Sequence, residues 1–246
     1  MGSFHLPPDW SLPEVFEKRL GDRVGRQRVM AADGHLLLLL HQPPKPGETE
    51  RVGRPIWRDP NGDWQSRGVG NGPQALNRHV AEFVAHVDTL ESLWDEAATA
   101  TDHYMLLRAI APLHRTIRNL HAVLQEARIL AADDRDLINA RDSVGELERT
   151  IELLHADVKN GLDYMVARNA ERQAEEAHNL AVAGYRLNLM AAMFLPIGTV
   201  AAIFGMNLAH GLDVEGNPAY FWGLLALGLF IGLTLTRIIS RKPRSE

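Results

Sequence analysis

The chain contains no cysteine. Disulfides and thiolate metal centres are therefore excluded, which suits a soluble part facing the cytoplasm. A P-loop, an HExxH helix and any nucleophile–base arrangement are also missing, so nothing in the sequence points to an enzyme. The 26 Lys and Arg are outnumbered by 31 Asp and Glu, for a net charge of -5, and no basic patch is interleaved with aromatics. Nucleic acid is accordingly not an expected partner. The opening "MGSFHLPPDW" lacks the basic-then-apolar order of a secretory signal.

The most informative absence is local. Charged residues make up 23% of the chain, yet no Asp, Glu, Lys, Arg or His falls between Leu187 and Phe204 or between Tyr220 and Thr236. At ~1.5 Å per helical residue each segment, with its flanks, reaches across a ~30 Å hydrocarbon layer. The first carries Asn188 and Pro196, so a buried core helix is its competing reading. The second opens on Tyr220-Phe221-Trp222, an aromatic cluster suited to the headgroup region. We read both as transmembrane. Arg168, Arg172 and Arg186 precede the first, Arg237, Arg241, Lys242 and Arg244 follow the second, and the loop between them has no Lys or Arg. Both termini are thus expected in the cytoplasm, with a short acidic loop outside.

Proline is absent between Pro112 and Pro196. A helix starting near Asp133 can therefore run unbroken into the first span, on the order of 100 Å. Along it Leu137, Val144, Leu147, Ile151, Leu154, Val158 and Met165 keep close to a heptad rhythm, the seam of a coiled coil or bundle. Upstream, Val80, Phe83, Val84, Val87 and Leu90 share a helical face. Leu106, Leu107, Ile110, Leu113, Ile117, Leu120 and Leu124 share another. Ala98 to Asp102 marks a break, Pro112 a second start or kink, and Ala131 to Asp134 a turn. Before Pro73 the chain is turn-rich. The run "HLLLLLH" (His35–His41), bounded by Gly34 and Pro43-Pro44, reads as a buried strand. Trp57 and Trp64, with the turn sequence Asp-Pro-Asn-Gly-Asp (59–63) between them, read as two short strands about a turn. So small a module leans on the helices that follow.

The expected architecture is a mainly α membrane protein. Residues 1–72 form a small strand and turn module, 73–132 cytoplasmic helices and 133–186 a stalk helix. A first transmembrane helix (187–206), an outer loop (207–219), a second transmembrane helix (220–240) and a basic tail (241–246) complete it. On a heptad grid Gly184, Asn188, Ala191, Leu195, Gly198 and Ala202 form one stripe of the first span. Small residues there let helices pack closely. Alternatively, several copies ring a channel in which Asn188 offers amide oxygens and Leu195 a hydrophobic constriction.

The first span ends in Gly205-Met206-Asn207. In the setting "MAAMFLPIGTVAAIFGMN", followed by an acidic loop, a second span and a basic end, this tripeptide resembles the signature of the CorA family of divalent-cation channels. The resemblance spans about residues 73 to 244. It implies a homopentamer in the inner (cytoplasmic) membrane, with the first spans lining the pore and the second spans forming an outer ring. The Gly-Met-Asn loop would hold a hydrated divalent cation, Mg²⁺ foremost, at the outer mouth. Mg²⁺ releases its inner waters reluctantly, so carbonyl and amide oxygens that bind those waters avoid most of the dehydration cost. Asn207 would present its side-chain oxygen to them. Asp213 and Glu215 would concentrate cations, or simply solvate the loop. Leu195 and Leu187 fall where the family has hydrophobic gate residues, and Arg237, Arg241, Lys242 and Arg244 would form an inner basic collar or anchor lipid headgroups. No cofactor is implied beyond the transported ion.

The chain departs from the family pattern in three places. The family's cytoplasmic domain is far larger than the seventy residues before Pro73. Gly198 replaces a pore-facing Thr, with Thr199 one position off, and Ala181 replaces a polar pore residue. Co²⁺, Ni²⁺ or Zn²⁺ cargo, a zinc carrier of the same architecture, and a scaffold or sensor without transport stay open. His79 with His86, and His114 with His121, lie at i, i+7, wider than the i, i+4 pairing of a helical metal site, and solvated side chains are the favoured reading. His210 would be an additional transition-metal ligand in the outer loop.

Overall fold

The computed structural model describes residues 6–21, 24–45, 51–205 and 217–239. In order the elements are α1 (Glu14–Arg19), β1 (Arg28–Ala32), β2 (His35–His41), β3 (Gly53–Arg58), β4 (Trp64–Ser66), α2 (Ala75–Glu96), α3 (Ala100–Leu130), α4 (Arg135–Gly205) and α5 (Pro218–Ile239). The chain divides into two units, residues 1–167 and 168–246.

In the first unit the strands form an antiparallel meander in the order β1-β2-β3-β4. Its centre is the leucine run, every residue of which from Leu36 to Leu40 is buried. The reason is visible in the period of two. Leu36, Leu38 and Leu40 join Ile56 and Trp64 against the helices, whereas Leu37 and Leu39 join Met30, Trp57 and Phe16 of α1 on the other side. A strand covered on both faces reads as continuous apolar sequence rather than alternation. The module therefore does lean on its neighbours. Two elements had no reading in the sequence, α1 and β1. The β1–β2 turn is Asp33-Gly34 with φ 49° and 79°, and Ala32 pairs with His35. An Asp-Gly pair at positive φ is a strong two-residue hairpin signal, and it places β1 before the leucine run.

The helical core follows the expected faces with local corrections. Val84, grouped with the α2 core face in the sequence, is 37% exposed. Thr99 caps α3 and Asp102 returns the bond to the Thr99 backbone N–H, a reciprocal box that explains the break before Ala100. Hydrogen bonding to Thr99 holds the Asp102 carboxyl below its ordinary value. Pro112 does not start a second helix: α3 runs through it from Ala100 to Leu130. Ile110 and Leu113 are buried on either side, and that packing carries the helix across the one missing N–H. Leu137, Ala140, Val144, Leu147, Ile151, Leu154 and Val158 are buried at spacings of three and four, while Met165 is only half-buried.

The start of α4 is tied at Asp134. One carboxylate oxygen accepts from the Leu137 backbone N–H at 2.9 Å and the other accepts from Arg58 Nε of β3 at 2.6 Å. Side-chain pairs show α3 and α4 to be antiparallel: His121 meets Glu148, His114 meets His155, and His103 lies over Gly161.

The second unit consists of the rest of α4 and α5. Both helices are long and apolar enough to cross a membrane. The α5 segment of 22 residues spans about 33 Å at 1.5 Å per residue.

Candidate functional site

The two apolar helices meet through glycine. Gly228 and Gly232 are the only buried residues described on α5. A Cβ at Gly228 would stand 3.1 Å from Ile197 Cγ1 and 3.3 Å from its Cα, and one at Gly232 would stand 2.6 Å from the Met193 carbonyl oxygen. This is a Gly-x-x-x-Gly contact, in which two missing side chains let backbones approach. Close glycine packing between these two helices thus lies on α5, at positions outside the α4 stripe. The four-residue spacing of Gly228 and Gly232 was the signal in the sequence.

The stripe itself lies elsewhere. Gly184, Leu187, Asn188, Ala191, Leu195, Gly198 and Ala202 are all exposed, with Leu187 at 64% and Leu195 at 68%. Leu189, Met193, Ile197 and Val200 are half-covered. At about 100° per residue the stripe centres roughly 160° from the Met193–Ile197 line that meets α5. Among the described residues, nothing covers the apolar and small side chains on that side. Thr199, adjacent to the stripe, donates from Oγ1 to the Leu195 carbonyl at 2.8 Å, so its hydroxyl is spent on its own helix. Gly205 closes α4. Arg237 is exposed in the last turn of α5. Met206, Asn207, His210, Asp213, Glu215, Arg241, Lys242 and Arg244 lie outside the described residues.

A match to a family model covers residues 74–241, under the description CorA-like Mg²⁺ transporter protein. The chain belongs to the CorA-like family. Among solved structures, that of the full-length CmaX protein is similar over 95% of this chain and 83% of its own, at TM-score 0.57 and 16% identity. The ZntB cytoplasmic domain from Vibrio parahaemolyticus matches 65% of this chain and 80% of its own, at TM-score 0.52 and 14% identity. At such identities these likenesses concern the fold. No curated protein matches the sequence.

The histidines of this CorA-like chain are arranged differently from the sequence reading. His79 is not solvated. It is fully buried, with its ring edge-on to Phe83 at 5.3 Å, and Nδ1 accepts from Arg54 at 2.9 Å. Burial, then the Arg54 charge, pushes its pKa down to about 3. The same Arg54 group donates to Glu82 at 2.7 Å, forming a buried polar link between β3 and α2 that sequence spacing did not reveal. His86 bonds the Glu82 carbonyl at 2.8 Å. Neither i, i+7 pair converges: His121 takes Glu148 at 2.5 Å, and His114 faces His155 with ring centres 6.1 Å apart. Among the described residues no group of three or more His, Asp or Glu is placed to hold a metal ion.

Proposed function

We propose that the chain assembles as a homopentameric channel for divalent cations in the inner membrane, with hydrated Mg²⁺ as the foremost cargo and Co²⁺, Ni²⁺ or Zn²⁺ as further candidates. The observation that carries this reading is the α4 stripe, exposed on the side of the helix turned away from α5. A span whose small and polar residues face away from its own partner suits an inner ring, with α5 outside. In that ring Leu195 and Leu187 narrow the path, Asn188 lines it with amide groups, and Gly184, Ala191, Gly198 and Ala202 leave room. Gly205, Met206 and Asn207 form the selecting mouth, where Asn207 accepts hydrogen bonds from the ion's own waters. Such outer-shell binding suits Mg²⁺, whose dehydration is costly.

Asp213 and Glu215 raise the local cation concentration, and Arg237, Arg241, Lys242 and Arg244 collar the inner end, both termini being cytoplasmic. The membrane potential supplies the drive, about 2.3 kcal/mol per charge per 100 mV. The test is uptake into liposomes holding a Mg²⁺-sensitive dye under an inside-negative potential. Wild type should take up the ion and Asn207→Ala should not. Equal uptake by both would remove the role of Asn207, and no uptake of Mg²⁺, Zn²⁺, Co²⁺ or Ni²⁺ by either would favour a membrane scaffold of the same shape.

A further inference from the structure

His114 on α3 and His155 on α4 face each other across the helix seam, half-buried, with ring centres 6.1 Å apart and planes at 42°. The other histidines of α3 are occupied. His103 bonds the Thr99 carbonyl, and His121 bonds Glu148 and Gln125. His114 and His155 make no hydrogen bond or ion pair among the described residues, and each meets only the other's ring. Around them the seam is apolar, with Leu113, Ile117, Ile151 and Leu154 buried. Two unengaged imidazoles have thus been brought together from residues forty-one apart.

We propose that His114 and His155 form a two-imidazole site for a borderline transition-metal cation, Zn²⁺ or Ni²⁺ being the probes of choice, which clasps α3 to α4. The distance fits the chemistry. With metal–nitrogen bonds of about 2.05 Å, two rings on one ion have centres about 5.2 Å apart at a tetrahedral angle and about 6.4 Å apart when opposed. The observed separation of 6.1 Å lies inside that interval. Imidazole nitrogen selects Zn²⁺, Ni²⁺, Co²⁺ and Cu²⁺ over Mg²⁺, which prefers oxygen. With no third protein ligand in reach among the described residues, water completes the shell. The site is therefore open and exchanges its ion, unlike a closed structural zinc centre. It responds to a different class of cation from the one the outer mouth is proposed to favour, and it does so on the soluble part of the chain.

The test uses the full chain in detergent, where binding is measured without transport. Zn²⁺ or Ni²⁺ at tenfold excess over Kd should raise Tm by about 3–6 °C. Mg²⁺ at the same concentration should leave Tm unchanged. His114→Gln and His155→Gln should each abolish the Zn²⁺ shift, whereas His121→Gln and Asn207→Ala should retain it. Retention in Asn207→Ala separates this site from the proposed channel mouth. A shift that survives either His114→Gln or His155→Gln overturns the proposal, as does the absence of any shift in wild type. Should a variant fold poorly, Cu²⁺ bound to wild type gives an independent reading by electron paramagnetic resonance: splitting from two nitrogens is expected, and splitting from one or none overturns the assignment.

Discussion

Substituting Gly232 by alanine tests the helix packing on which the channel reading depends. The added Cβ would sit 2.6 Å from the Met193 carbonyl oxygen and 3.2 Å from its Cα, both backbone atoms that cannot swing aside. Relief to ordinary contact requires the helices to separate locally by about 0.8 Å, and a gap of that size forfeits a quarter to a half of the dispersion well for the atoms lining it. The cost should match that of an overpacked core, about 1–3 kcal/mol. At Gly228 the closest approach is 3.1 Å to a side-chain carbon, which can shift, so Gly228→Ala should cost less. At Gly223 nothing lies within 4 Å, and alanine there should be neutral or slightly stabilising through helix propensity. The assay is thermal unfolding of the three variants in one detergent, followed by tryptophan fluorescence. The expected order of Tm is Gly223→Ala at or above wild type, then Gly228→Ala, then Gly232→Ala lowest. Equal Tm for Gly232→Ala and Gly223→Ala would refute the close approach of α5 to α4.

Three further expectations concern the first unit, residues 1–167. The folded chain refuses a proton at His79 down to about pH 3, while the unfolded chain accepts one below its ordinary 6.5, so stability falls as pH drops through that window. The loss should reach about 2 kcal/mol at pH 5, and His79→Gln should flatten that part of the profile in denaturant titrations. Asp134→Asn keeps a capping oxygen but loses the Arg58 ion pair, whereas Asp134→Ala loses both. The alanine variant should be less stable than the asparagine one by about 1 kcal/mol, the usual worth of a cap, and equal values would show that the cap contributes nothing. Gly161→Ala places a Cβ 2.7 Å from Trp94 Cη2 and 2.8 Å from His103 Nε2. It should lower Tm and alter the Trp94 emission, while Gly145→Ala, whose nearest atom is 3.3 Å away on His121, should do so less.

Much of the helical part was legible because helices advertise their buried face over many turns. The α4 seam from Leu137 to Val158 and the α3 face could be read from spacing alone. The strand at His35–His41 was legible from its length and flanks. What escaped was information carried by few residues or by distant ones. The β1 strand shows no clean alternation, and its signal was the two residues Asp33-Gly34. The Arg54–His79–Glu82 link joins positions twenty-five or more apart, so no local pattern announces it. The same holds for His114 and His155, where the sequence offered His121 as the nearer partner. On the apolar part of α4 the stripe was legible from spacing, but which face would meet α5 was not, since Met193 and Ile197 look like any other apolar residues of the helix.

The leucine run of β2 carries no phase of its own. Slide the strand by one position and a leucine still replaces a leucine on each face, so hydrophobicity alone cannot choose which three turn toward α2 and α3. The choice is made at the ends. Asp33-Gly34 permits only a two-residue reversal, and at the far end the His41 backbone N–H donates to Gln27 at 3.3 Å while its Nε2 meets the Gly25 carbonyl at 3.1 Å. The five leucines are interchangeable letters, and the punctuation on either side spells out which of them point inward.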